Sequence, residues 1–113
     1  KLSKIYFRRL SKLNKFIKLP EIKKKEIHSF HQFVIICKKR NQLRKYLKKN
    51  KIDTMIHYPQ MLSDMKIFSK TKNVKKIKFA KNLGSRILSL PIFPDHTPAE
   101  IEFVSQKIIN FYT

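Results

Sequence analysis

The sequence is short of the residues that make a chain flexible, reactive or membrane-bound. It has one glycine in 113 residues. A glycine-rich phosphate cradle therefore has nowhere to form, and a loop-rich chain is disfavoured. Its one cysteine, Cys37, excludes an internal disulfide. Cys37 sits in the apolar run Phe33-Val34-Ile35-Ile36-Cys37, so it reads as a small buried side chain rather than a reactive thiol. The four histidines have no metal-ligand spacing with Cys37 or the acids. No Ser-His-Asp or Cys-His arrangement can be argued. No apolar run approaches the roughly 18 residues of a membrane span. No leader pattern is visible, so a cytoplasmic protein without membrane contact is expected.

Acidic residues are scarce as well, and the formal net charge is +20. The surplus is uneven. Residues 1–52 carry 18 Lys and Arg against Glu21 and Glu26, a surplus of 16. Residues 53–113 carry 9 against Asp53, Asp64, Asp95, Glu100 and Glu102, a surplus of 4. Such a field attracts polyanions. However, Lys greatly outnumbers Arg, the residue suited to bidentate phosphate and base contacts. Only nonspecific association with nucleic acid is expected, on a solvated lysine surface. A basic nucleic-acid-binding module is the alternative reading, and a protein-interaction module is another. Phe33, Phe103 and Phe111 fall at core-like positions rather than among the lysines, which disfavours a stacking platform for bases.

What is present is enough for one domain over 1–113. A chain of this length buries roughly two-thirds of its unfolded surface. The pattern alternates helix and strand. Leu2, Tyr6, Leu10 and Leu13 predict a helix over 2–14. Phe16 to Leu19 is short and apolar, stopped by Pro20. His31 to Cys37 predicts a buried strand, with Asn41 capping a helix over 42–50 whose Leu43 and Leu47 face inward. Thr54 to Tyr58 predicts a second strand, ended by Pro59. Val74, Ile77 and Ala80 give a short helix with Gly84 as its C-terminal cap. Ile87 to Leu90 predicts a third strand. Thr97-Pro98-Ala99-Glu100 is a capping box, and Ile101, Val104, Ile108 and Phe111 continue a final helix. The fold class is therefore α/β in the α+β sense: a small mixed sheet covered by helices.

Four stretches carry identity. They are His28-Ser29-Phe30-His31-Gln32-Phe33-Val34-Ile35, Lys39-Arg40-Asn41-Gln42-Leu43, Asn50 to Pro59 with its Thr54-Met55-Ile56-His57-Tyr58-Pro59, and Ile87-Leu88-Ser89-Leu90-Pro91-Ile92-Phe93-Pro94. In that order they resemble the C-terminal small domain of the DegT/DnrJ/StrS family of pyridoxal-phosphate-dependent sugar-nucleotide aminotransferases. The resemblance implies the small domain of a fold-type-I aminotransferase, which closes one wall of the cleft over a sugar nucleotide. It implies that a preceding large domain holds the pyridoxal phosphate. No cofactor is then expected on this chain alone, and the chain is expected to be inactive by itself. It begins at Lys1 rather than Met and is read as a piece of a longer enzyme. The family works as a homodimer, so a second copy or a separately encoded large-domain chain is the expected partner.

Ser29-Phe30-His31 resembles the start of the family's cofactor-lysine motif. The lysine position falls on Val34, so no catalytic residue is assigned. His57, Tyr58 and, less directly, His31 are the substrate-binding candidates that the resemblance implies. Imidazole and phenol supply donors and acceptors suited to a sugar or phosphate. The other reading of the pair is structural: His57 satisfies a backbone group and Tyr58 packs in the core. His28 and His96 read as ordinary loop residues. After Pro59 the family's usual Pro and His are replaced by Gln60-Met61-Leu62-Ser63-Asp64, and its usual glycine before Ile52 is Lys51.

Overall fold

A helix forms wherever apolar residues recur at three- and four-residue spacing and one face can be buried. In the computed structural model, which describes residues 1–68 and 78–113, four segments do this. They are α1 (Ser3–Leu10), α2 (Arg40–Lys49), α3 (Lys78–Gly84) and α4 (Pro98–Tyr112). One tighter turn, Ser11–Leu13, prolongs α1 and buries Leu13. The predicted Val74 and Ile77 lie outside the described residues. Three strands form the sheet: β1 (Ile17–Lys18), β2 (Phe33–Cys37) and β3 (Ile87–Leu90), in that spatial order. Both pairings are antiparallel. The predicted architecture, a small sheet covered by helices, is the one observed, but among the described residues the sheet is antiparallel throughout rather than mixed.

Register sorts the side chains. Phe33 lies opposite Leu90, Ile35 opposite Leu88, and Cys37 opposite Ile17. All six are buried. They form the face on which Tyr6, Leu10, Leu43, Leu47, Ile101 and Ile108 close a single core. Directly opposed residues share a face, so Val34, Ser89, Ile36, Ile87 and Lys18 belong to the other one. The cleft lies over that second face.

The capping box of α4 is present in full. Glu100 N–H donates to Thr97 Oγ1 at 3.3 Å, and Thr97 N–H donates to Glu100 Oε2 at 2.7 Å. The backbone N–H of Thr97, and then its hydroxyl, hold the Glu100 carboxyl below the ordinary range. Two other predicted ends differ. Asn41 does not cap α2; Lys39 occupies that place with φ 53°, and Asn41 Oδ1 accepts from Arg40 Nε at 2.7 Å. Gly84 is the last residue of α3 and takes no positive φ. Phe103, expected in the core, is 51% exposed, while Phe111 packs on Tyr46.

The strand predicted over Thr54 to Tyr58 shrinks to one bridge. Met55 and Ser89 exchange both backbone hydrogen bonds, at 3.2 and 2.8 Å. The ladder extends no further on either side, and the groups next in line are engaged differently. In antiparallel register Asp53 would face Pro91, which has no N–H to give. In the other direction His57 would face Ile87. The Ile87 carbonyl points the same way as that of Ser89, but it already accepts from Arg40 Nη1 at 3.0 Å.

Candidate functional site

The bridge at Met55 carries His57 and Tyr58 over the second face of the sheet. The chain then turns at Pro59 and runs back through two short helical turns, Leu62–Asp64 and Lys66–Phe68. Gln60 Nε2 donates to the Asp64 carbonyl at 2.9 Å and closes the first of these. Met61 reaches α3 at Gly84. A β-carbon there would fall 2.6 Å from Met61 Cε, so the glycine makes room for the thioether. Together these elements enclose an apolar cleft of about 580 Å³. Met61, Leu62, Phe68, Leu83 and Ile87 supply much of its wall, and His57 and Tyr58 stand in it.

His57 is half-buried and its ring is fixed twice. Its Nδ1 lies 2.8 Å from Ser89 Oγ. The Tyr58 ring meets it edge to face, with centroids 5.7 Å apart. The peptide bond between them is cis. Tyr58 is 69% exposed, and Leu62 is equally so. The core position considered for Tyr58 is therefore not the one it takes. Among the described residues lining the cleft, none is Lys, Arg, Asp or Glu. The polar side chains among the described lining residues are those of His57, Tyr58, Gln60 and Ser63.

His31 stands elsewhere. It is exposed and lines a second hollow with Ser29, Phe30 and Phe93. The structure thus joins His57 to Tyr58 and leaves His31 outside their cleft. His28 stacks on Phe30, and its Nδ1 accepts the Phe30 N–H at 2.8 Å. Val34, at the lysine position of the look-alike motif, is in mid-strand. Among the described residues no cluster of three His, Cys, Asp or Glu could hold a metal, and no helix is long and apolar enough to cross a membrane.

Sequence reasoning missed Ser89, Arg40 and the Met61–Gly84 contact. Ser89 did leave a signal, since it is the one polar residue in an otherwise apolar strand. Arg40 left none, because its partners are carbonyls far away in sequence.

Comparison with known proteins gives one consistent result. The profile of the DegT/DnrJ/EryC1/StrS aminotransferase family matches residues 1–109. Over 86 residues the chain is 34% identical to a pleiotropic regulatory protein of Geobacillus stearothermophilus, covering 75% of this chain and 23% of that one. Over 98 residues it is 32% identical to the dTDP-3-amino-3,6-dideoxy-alpha-D-galactopyranose transaminase of Aneurinibacillus thermoaerophilus, covering 87% and 27%. The fold superposes on S. venezuelae DesV, solved in complex with a ketimine intermediate, with TM-score 0.83 at 24% identity. That alignment covers 97% of this chain and 30% of the other. It matches a Brucella abortus aminotransferase of the same family at TM-score 0.81 and 24% identity, covering 97% and 30%. The chain spans about a quarter of the length of the curated relatives.

Proposed function

This chain belongs to the DegT/DnrJ/EryC1/StrS aminotransferase family, and on that premise we propose that it is the small domain of a sugar-nucleotide transaminase. It forms one wall of the substrate cleft, and a large domain placed against its open sheet face supplies the rest. The amino-group acceptor is a nucleotide-linked keto sugar, the chemistry named for relatives that act on dTDP- and UDP-linked sugars. His57 and Tyr58 are its hydrogen-bonding groups at that wall.

The observation that carries this reading is the state of the His57 face. Tyr58 and Leu62 line the cleft and are still 69% exposed. Large apolar side chains left open around a hollow are the mark of a surface that another body covers. The relatives have the body to cover it, since this chain accounts for only 23% and 27% of their lengths.

The family relation implies pyridoxal phosphate, and one neighbour is described with bound PMP. The cofactor carries the chemistry of amino transfer. It requires an amine to hold it, donors for its phosphate and an acid for its ring nitrogen. The described residues of the His57 cleft do not fit it, for they include neither an amine nor a carboxylate. No step through the cofactor is therefore assigned to this chain. Its residues shape the wall, exclude water and orient the sugar nucleotide.

The test is assembly. Mixing this chain with the isolated remainder of the Aneurinibacillus relative should give a stoichiometric complex. Leu62→Asp and Phe68→Asp should each weaken that complex at least tenfold while the chain stays folded. A complex that ignores both substitutions would move the docking surface elsewhere.

A further inference from the structure

Resting on that reading, we propose that Ser89 is a positioning residue. It holds His57 in the form protonated at Nε2, so that His57 meets the ligand as a hydrogen-bond donor to an oxygen atom.

A serine has one proton to give and lone pairs to receive. Ser89 is 6% exposed, in mid-strand, with its backbone N–H and C=O both paired to Met55. Among the described residues, the partner of its side chain is His57 Nδ1 at 2.8 Å. Two arrangements fill that contact. In one, Nδ1–H donates to the serine oxygen, and the buried hydroxyl proton is left without an acceptor. In the other, the hydroxyl donates to a bare Nδ1, and both groups are satisfied. Buried donors are paired almost without exception, so the second arrangement is the one occupied. The ring proton then sits on Nε2.

The register keeps this arrangement in place. Met55 is bonded directly opposite Ser89, and two residues later His57 reaches the same face as a diagonal neighbour. The pair is not a nucleophile with its base. Ser89 is closed to solvent, and among the described residues no carboxylate or other hydrogen-bonding group besides it holds the imidazole. With Nδ1 already accepting, His57 offers the cleft a single N–H. Its complement is an acceptor oxygen, found in a sugar nucleotide either as a phosphoryl oxygen or as a hydroxyl or keto oxygen of the sugar.

The experiment is nitrogen NMR of the full chain at mildly alkaline pH, where an ordinary imidazole is neutral. The ring of His57 should show Nε2 protonated and Nδ1 bare, with less than about a tenth of the other form. S89A should raise the Nδ1–H fraction several-fold with the backbone spectrum otherwise unchanged, and S89T should restore the original form. A dominant Nδ1–H form in the native chain overturns the proposal, as does a tautomer ratio indifferent to S89A. Uridine diphosphate and N-acetylglucosamine are then added separately. A shift of the His57 Nε2–H signal by the first assigns a phosphoryl oxygen, and by the second a sugar oxygen. A signal moved by neither, once the chain is assembled with a large domain, overturns the ligand assignment. The tautomer is read on this chain alone, so its failure is distinct from a failure to assemble a transaminase.

Discussion

Burial makes a thiol or a phenol, neutral when protonated, keep its proton, and three residues here follow that rule. Burial pushes the Cys37 thiol up to about 11, against smaller opposing effects of the Tyr112 hydroxyl and the Arg40 and Arg86 charges. Burial also raises Tyr6 and Tyr112 above the ordinary tyrosine range. Tyr6 donates to the Pro91 carbonyl at 2.6 Å, and Tyr112 donates to the Lys38 carbonyl. The sign follows from which state binds more protons. In the unfolded chain the thiol ionises from 9.0, while the folded chain holds its proton to about 11. Stability contributed by Cys37 is thus complete below pH 9 and is lost as pH rises through that window. Denaturant melts at a series of pH values should show the loss, and Cys37→Ala should remove the part that begins near 9. The part due to Tyr6, which starts from 10.0 and owes nothing to Cys37, should remain. The inert character of Cys37 could be read from its apolar neighbours. Its hydrogen bond to the Arg86 carbonyl at 3.5 Å could not, since the two are 49 residues apart.

Among the elements, those with a strong local signal were legible. In α4 the capping box, the first-turn proline and the apolar spacing agree, and the helix forms where they place it. Thr97→Ala should cost about 1 kcal/mol in chemical denaturation. Glu100 has its carboxyl held low, so its contribution is present above the ordinary carboxylate value and falls away as acid protonates it. Glu100→Gln should flatten the acid limb of the stability profile; a limb unchanged by it would assign acid sensitivity to another group. In α2, Leu43 and Leu47 are fully buried, as their spacing requires, and either one changed to Ala should cost about 2–5 kcal/mol. The elements misjudged were those whose limits are set by distant groups. Thr54 to Tyr58 has strand residues, but Pro91 has no N–H for a longer ladder and Arg40 Nη1 donates to the Ile87 carbonyl on the other side. Phe103 has helical spacing, but it stands at the edge of the buried stripe, where Lys107 Nζ lies 5.3 Å from its ring centre.

For the whole molecule, the order of four short motifs was enough to point to the family. What the motifs leave open is which face of the domain meets another body. That depends on the register of three strands, which turns Ser89 and Ile87 toward His57 and away from the core. The basic surplus lies in residues 1–52, while the described lining of the cleft includes no Lys, Arg, Asp or Glu. The proposed division gives the cofactor to a large domain and one wall of the cleft to this chain. It is tested most directly by mixing the chain with the isolated remainder of the Aneurinibacillus relative and pyridoxal phosphate. Borohydride then fixes the cofactor to whichever lysine holds it, and the label is mapped by mass. The label should fall on the large-domain piece alone. A stoichiometric label on one lysine of this chain would contradict it.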